Sequence, residues 1–108
     1  MSVSDIDIID LISTDPSGNI VLTISDHLEW DEELEHILLL QNKINNYLKF
    51  IETKQIYTDY PTAKGKNIII NICAKFLPND SADQFLEMAR QTVQSVGLDL
   101  RVSFIKYQ

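Results

Sequence analysis

Residues 67–76 constrain the fold more than any other part of the chain. In an extended strand, Ile68, Ile70, Ile72, Ala74 and Phe76 point one way, and Ile69, Asn71, Cys73 and Lys75 the other. One face is strongly apolar and the other is mixed. Such a strand needs neighbours for its backbone groups and a roof for its apolar side. Two further segments repeat the pattern. In residues 19–25, Ile20, Leu22 and Ile24 alternate with Val21, Thr23 and Ser25. In residues 98–105, Leu98, Leu100, Val102 and Phe104 alternate with Asp99, Arg101, Ser103 and Ile105. Residues 6–13 are short and rich in β-branched side chains, which suits a fourth strand. Between the first two strands, Asp15-Pro16-Ser17-Gly18 matches a type I turn, so these strands are expected to form an antiparallel hairpin.

Two segments carry helical periodicity. Asp31 is a candidate N-cap, with Glu32, Glu33 and Glu35 where the helix dipole favours negative charge. From there a helix is expected to reach about Glu52. Leu34, Ile37, Leu38, Ile44, Leu48 and Ile51 follow the spacing of a buried stripe, with Gln41 as a polar exception and Leu40, Tyr47 and Phe50 widening it. The second helix follows Pro78. Ser81 and Gln84 match a capping box, with Asp80 as the other candidate cap. Phe85, Leu86, Ala89, Val93 and Val96 face inward, and Gly97 stops the helix. Residues 53–66, with Tyr57, Tyr60, Pro61 and Gly65, form the longest expected loop. The order is ββαβαβ. The expected fold is α+β: a two-layer sandwich, one four-stranded sheet with two helices on one face. The unit formed by the last two strands and the second helix suits a parallel crossover.

The chain has 108 residues, enough for a single domain spanning 1–108. No apolar run approaches the roughly 20 residues that span a bilayer, and the first residues lack the features of a secretory signal. Cys73 is the only cysteine, which leaves no internal disulfide. These features together suit a cytoplasmic protein with no membrane contact. Charge is unevenly distributed. Residues 1–42 carry ten acids and no base, and the rest carry six acids and all nine Lys and Arg, giving −10 and +3 and a net −7. The bases are scattered singly, so nucleic acid is not an expected partner. A basic protein is.

The richest polar cluster is Ser25-Asp26-His27-Leu28-Glu29-Trp30-Asp31. His27 oriented by Asp26 or Asp31 would make an acid–base pair of the kind a small hydrolase uses. The alternative is structural: the aspartates cap turns and the helix, His27 meets a backbone carbonyl, and Trp30 plugs the edge of the core. Glu33 and His36 stand three apart, half of a di-metal Glu-x-x-His signature. Two histidines and two helices do not complete such a site, and His36 reads as part of a solvated helix face. His27 and His36 show no recognised metal-ligand spacing, so neither metal nor cofactor is expected. Cys73 reads as a buried or interface thiol. Tyr57 and Tyr60 either anchor the long loop or line a pocket. The uncovered sheet face, with Ile69, Cys73, Ile105 and Tyr107, is apolar enough to suggest a homodimer interface.

The stretch Ser25-Asp26-His27-Leu28-x-Trp30-Asp31, followed by Leu38-Leu39-Leu40-Gln41-x-Lys43-Ile44-Asn45-x-Tyr47-Leu48, resembles a family of short, functionally uncharacterised bacterial proteins. The likeness runs from the first strand through the last. It implies a bacterial source and carries no assigned activity. It draws attention to Gln41 and Asn45, four apart on one helix face beside the apolar stripe. Taken together, the sequence is best read as a small acidic, self-associating protein-interaction module without enzymatic activity. An immunity-type inhibitor of a basic toxin is a narrower form of that reading. The competing class is the small enzyme built on His27.

Overall fold

The computed structural model of the chain describes Ile9 and residues 11–26 and 35–104. Among these, the elements run β1 (Leu11–Thr14), β2 (Ile20–Asp26), α1 (Glu35–Glu52), α2 (Gln55–Asp59), a 3-10 turn (Pro61–Ala63), β3 (Ile68–Ala74), α3 (Asp80–Ser95) and β4 (Asp99–Phe104). The fold is α+β. The strands form one sheet in the order β1-β2-β3-β4. β1 runs antiparallel to β2, with Thr14 opposite Ile20, while β2, β3 and β4 are parallel, with Ile20 opposite Ile68 and Ile70 opposite Leu100.

Local chemistry explains the hairpin. Asp15 Oδ1 accepts from the Ser17 amide at 3.0 Å and the Asn19 amide at 2.9 Å, and the Gly18 amide donates to the Asp15 carbonyl at 3.0 Å. An aspartate that bonds its own following backbone closes a turn without help from the rest of the fold. The strands' alternation then sets the layers. Ile20, Leu22, Ile24, Ile68, Ile70, Ile72 and Leu100 join Leu40, Ile44, Tyr47 and Phe50 of α1 and Leu86 and Val93 of α3 in one buried cluster. Each such aliphatic side chain contributes about 1.5–3 kcal/mol on full burial. Both long helices return between parallel strands, so they lie on one face and run parallel to each other, with their first turns at the same end.

Several expectations need correction. The stretch 53–66 is not a plain loop. Lys54 ends α1 in the left-handed region (φ 65°) and α2 begins after it, Pro61 opens the 3-10 turn, and Ile56 and Ala63 are buried in the core. Burying those two side chains pins the segment down. The cap of α3 is Asn79, whose Oδ1 accepts from the Ala82 amide at 2.8 Å; it stands before both Asp80 and Ser81. Gly97 does end α3: at φ 84° its amide reaches the Gln94 carbonyl and the Leu98 amide the Val93 carbonyl, the paired bonds of a Schellman motif. Val96, expected inside, is exposed, because that motif turns the chain outward just there. The expected strand 6–13 is described only as β1, and Asp31 and its neighbours lie outside the described residues.

The largest correction concerns α1. Its buried residues are His36, Leu40, Lys43, Ile44, Tyr47 and Phe50, while Leu38 is 58% exposed. At 100° per residue the buried face is turned by about a quarter turn from the stripe centred on Ile37, Gln41 and Leu48. Two hydrogen bonds to β2 account for this. His36 reaches Asp26, and the Tyr47 hydroxyl donates to the Thr23 carbonyl at 2.6 Å. These two side chains are eleven residues apart, about three turns, so they leave the helix on the same side.

Candidate functional site

The rotation of α1 buries a polar seam against β2. Strand alternation puts Asp26, the last residue of β2, on the helical side with Ile20, Leu22 and Ile24. His36 Nε2 lies 2.7 Å from Asp26 Oδ1 and 2.6 Å from Oδ2. Two turns further on, Lys43 is fully buried, with Nζ 5.8 Å from the centre of the Tyr47 ring. A cation over an aromatic face in a dry setting is worth about 2 kcal/mol. Burial of an ionised carboxylate is expensive unless it is paired and hydrogen-bonded. The imidazole meets that need by facing both oxygens of Asp26. His36 therefore does not sit on a solvated helix face.

A histidine held by an aspartate is the base-and-orienter half of many catalytic sites. Here the pair is closed off: Asp26 is 1% exposed and His36 2%. The described hydroxyl and thiol groups nearest in sequence and register do not complete a triad. Ser25 stands opposite Cys73, and Cys73 opposite Ser103, in a row across the other face of the sheet. The sheet itself separates that row from His36. Among the described residues no three His, Cys, Asp or Glu side chains converge as a metal site, and no helix is long and apolar enough to cross a membrane.

The clefts lie elsewhere. A groove of about 270 Å³ runs between α1 and α3, lined by Gln41, Ile44, Asn45, Leu48, Phe85, Met88, Ala89, Thr92 and Val93. None of these side chains is ionisable. The groove has an apolar floor and an amide and hydroxyl rim, suited to contact and not to proton transfer. Gln41 and Asn45, singled out in the sequence, thus share this outer groove. A second, more polar cleft of about 580 Å³ is lined by Ile9, Ile12, Asn46, Lys49, Phe50, Thr53, Gln55 and Asp59.

The other candidate residues separate. Tyr57, on α2, packs against the core cluster. Tyr60 follows it, and hydrogen bonds from the Thr14 and Thr62 side chains hold its hydroxyl below the usual tyrosine range. This ties the 53–66 segment to β1. Ile69 and Cys73 lie on the second sheet face; Ile69 is already 4% exposed within the chain, and Cys73 is half-buried. His27, Trp30, Asp31, Ile105 and Tyr107 lie outside the described residues. Sequence reasoning placed Tyr47 in the buried stripe but gave it no polar partner, set His36 on a solvated face, and passed over Lys43 as a buried residue. His36, Leu40, Lys43, Tyr47 and Phe50 keep the 4-3-4-3 spacing of one helix face, but two of the five are polar, so a hydrophobic pattern passes over it.

The model of a family of unknown function, DUF6572, matches residues 1–106. The chain belongs to that family. The match spans the residues of the hairpin, the β2–α1 seam and β4. No curated protein and no solved structure matches the chain.

Proposed function

We propose that this domain is a non-enzymatic, self-associating protein-interaction module that meets a basic partner. One observation carries the reading. The acid–base pair is sealed inside, while the groove open between the helices holds no ionisable group. Chemistry and access are separated, whereas an active site needs them together. Charge supports the kind of partner. The first turns of α1 and α3 lie at one end of the molecule and carry Glu35, Asp80 and Asp83. In sequence, Glu29, Asp31, Glu32 and Glu33 stand between Asp26 and Glu35. Surfaces of this sign speed encounter with a basic protein. An immunity-type inhibitor of a basic toxin is one form of such a partnership, and the cytoplasm is the compartment that suits it. Self-association belongs to the same proposal, because β4 is an edge strand and the described helices roof the opposite side of the sheet.

The test is affinity capture followed by a salt series, comparing the parent with a Glu35→Lys, Asp80→Lys, Asp83→Lys variant. Captured basic proteins are expected to elute between about 0.1 and 1 M salt, as the Debye length shrinks from about 10 to 3 Å. The triple variant is expected to lose them. Partners that survive 1 M salt, or ignore the charge reversal, argue against the reading. A small hydrolase remains the second reading, favoured by one observation: Asp26 and His36 sit at the carboxyl end of a parallel strand, where ligands of α/β sheets gather. In that reading His36 stands where His27 was expected.

A further inference from the structure

We propose that two copies of this chain associate through β4, paired edge to edge and antiparallel about a two-fold axis at Leu100. This deepens the self-association reading and rests on it. β4 closes the strand order on its side of the sheet. A depression of about 430 Å³ runs along it, between the strand and Arg90 and Gln94 of α3, so among the described residues the space beside the strand is open.

The residues of β4 make it its own complement. Leu98-Asp99-Leu100-Arg101-Val102 reads apolar, acid, apolar, base, apolar forwards and apolar, base, apolar, acid, apolar backwards. A two-fold axis normal to the sheet keeps each face continuous. Leu100 then meets Leu100, Leu98 meets Val102, and each Asp99 faces the partner's Arg101. Opposite charges directly across a strand pair stabilise it and like charges destabilise it. The neighbouring registers set Asp99 against Asp99 or Arg101 against Arg101. Charge therefore selects one register, and it does so between copies that each carry a net −7 and repel at longer range.

Both charges are available. Arg101 has a side chain 53% exposed, and its contact with Asp15 is 4.0 Å long. Asp99 Oδ1 accepts from the Leu100 amide at 2.9 Å. That local bond covers an edge donor in the single chain, as unpaired edges require. The same oxygen accepts from Gln94 Nε2 at 3.3 Å, and pairing leaves Oδ2 of the carboxylate to the partner's Arg101.

Sedimentation equilibrium on the full chain tests this, with circular dichroism to confirm folding of each variant. The parent is expected at twice the 12.4 kDa of one chain. R101D faces Asp99 with a second acid at both symmetric positions and is expected to weaken the dimer by about tenfold or more. D99R is expected to do the same. The D99R, R101D double variant exchanges the charges and is expected to recover the parent affinity to within a few-fold. A dimer that R101D leaves unchanged, or a double variant no tighter than the single ones, overturns the β4 seam while self-association stands. A parent that stays monomeric up to on the order of 1 mM overturns both.

Discussion

Consider the removal of His36. In the folded chain Asp26 is 1% exposed and faces His36 through both oxygens, at 2.7 and 2.6 Å. His36→Leu leaves that carboxylate sealed in without the imidazole. Removing the partner of a buried, hydrogen-bonded carboxylate costs about 3–5 kcal/mol. A chain of 108 residues unfolds with an entropy of roughly 0.23 kcal/mol/K, so Tm is expected to fall by about 13–22 °C. The converse change is gentler. Asp26→Leu leaves an imidazole that can stay neutral, and an unsatisfied buried polar group costs about 1–3 kcal/mol. Asp26→Leu with His36→Leu removes both polar groups at once. Taking both members of a buried pair away together avoids the uncompensated group that each single change leaves, so the cost of the double variant is expected to fall well short of the sum of the two single costs. Urea denaturation of the four proteins, with an unchanged slope on denaturant, closes the cycle. Costs that simply add, or a His36→Leu variant within about 1 kcal/mol of the parent, would refute the reasoning.

Three further outcomes are expected. Lys54→Gly relieves a left-handed residue at φ 65° and is expected to raise stability by up to about 1 kcal/mol, read by chemical denaturation. Asn79→Ala removes the 2.8 Å cap of α3 and is expected to cost about 1 kcal/mol by the same measurement. The carboxyl of Asp15 is held below its ordinary value of 3.8, first by the Asn19 amide, then by the Asn19 side chain, the Ser17 amide and Arg101. Its folded pKa is the lower one, so its contribution is complete above about 4 and is lost as pH falls through that depressed value. Asp15→Asn is accordingly expected to flatten the acid limb of a stability profile below pH 4, and an unchanged profile argues against this role.

Much of the architecture was legible because it is local. Asp15 builds its turn from residues two and four positions away, and the alternation of Ile20, Leu22 and Ile24, or of Ile68, Ile70 and Ile72, needs only the two-residue period of a strand. The face of α1 was not legible in that way. The run Ile37-Leu38-Leu39-Leu40 fits more than one helical phase, and a hydrophobic pattern counts His36 and Lys43 as solvent-facing by default. What chose the phase was a pair of long-range bonds, from His36 to Asp26 and from Tyr47 to the Thr23 carbonyl. No periodicity encodes those. The cap of α3 failed for a smaller reason. Asn79, Asp80 and Ser81 are all good caps, and only the backbone decides which amide each can reach. The candidate site was half legible: Asp26 was singled out, but its histidine was sought next to it in sequence, not on the first described turn of the following helix.

The central claim is that the chemistry-bearing pair is sealed within the fold. Carbethoxylation of histidine in the folded protein, mapped by mass spectrometry, probes it directly. His36 is expected to remain unmodified until the chain is unfolded. Modification of His36 in the folded state, at the rate of a free imidazole, would contradict the account and return the seam to the candidates for an active site.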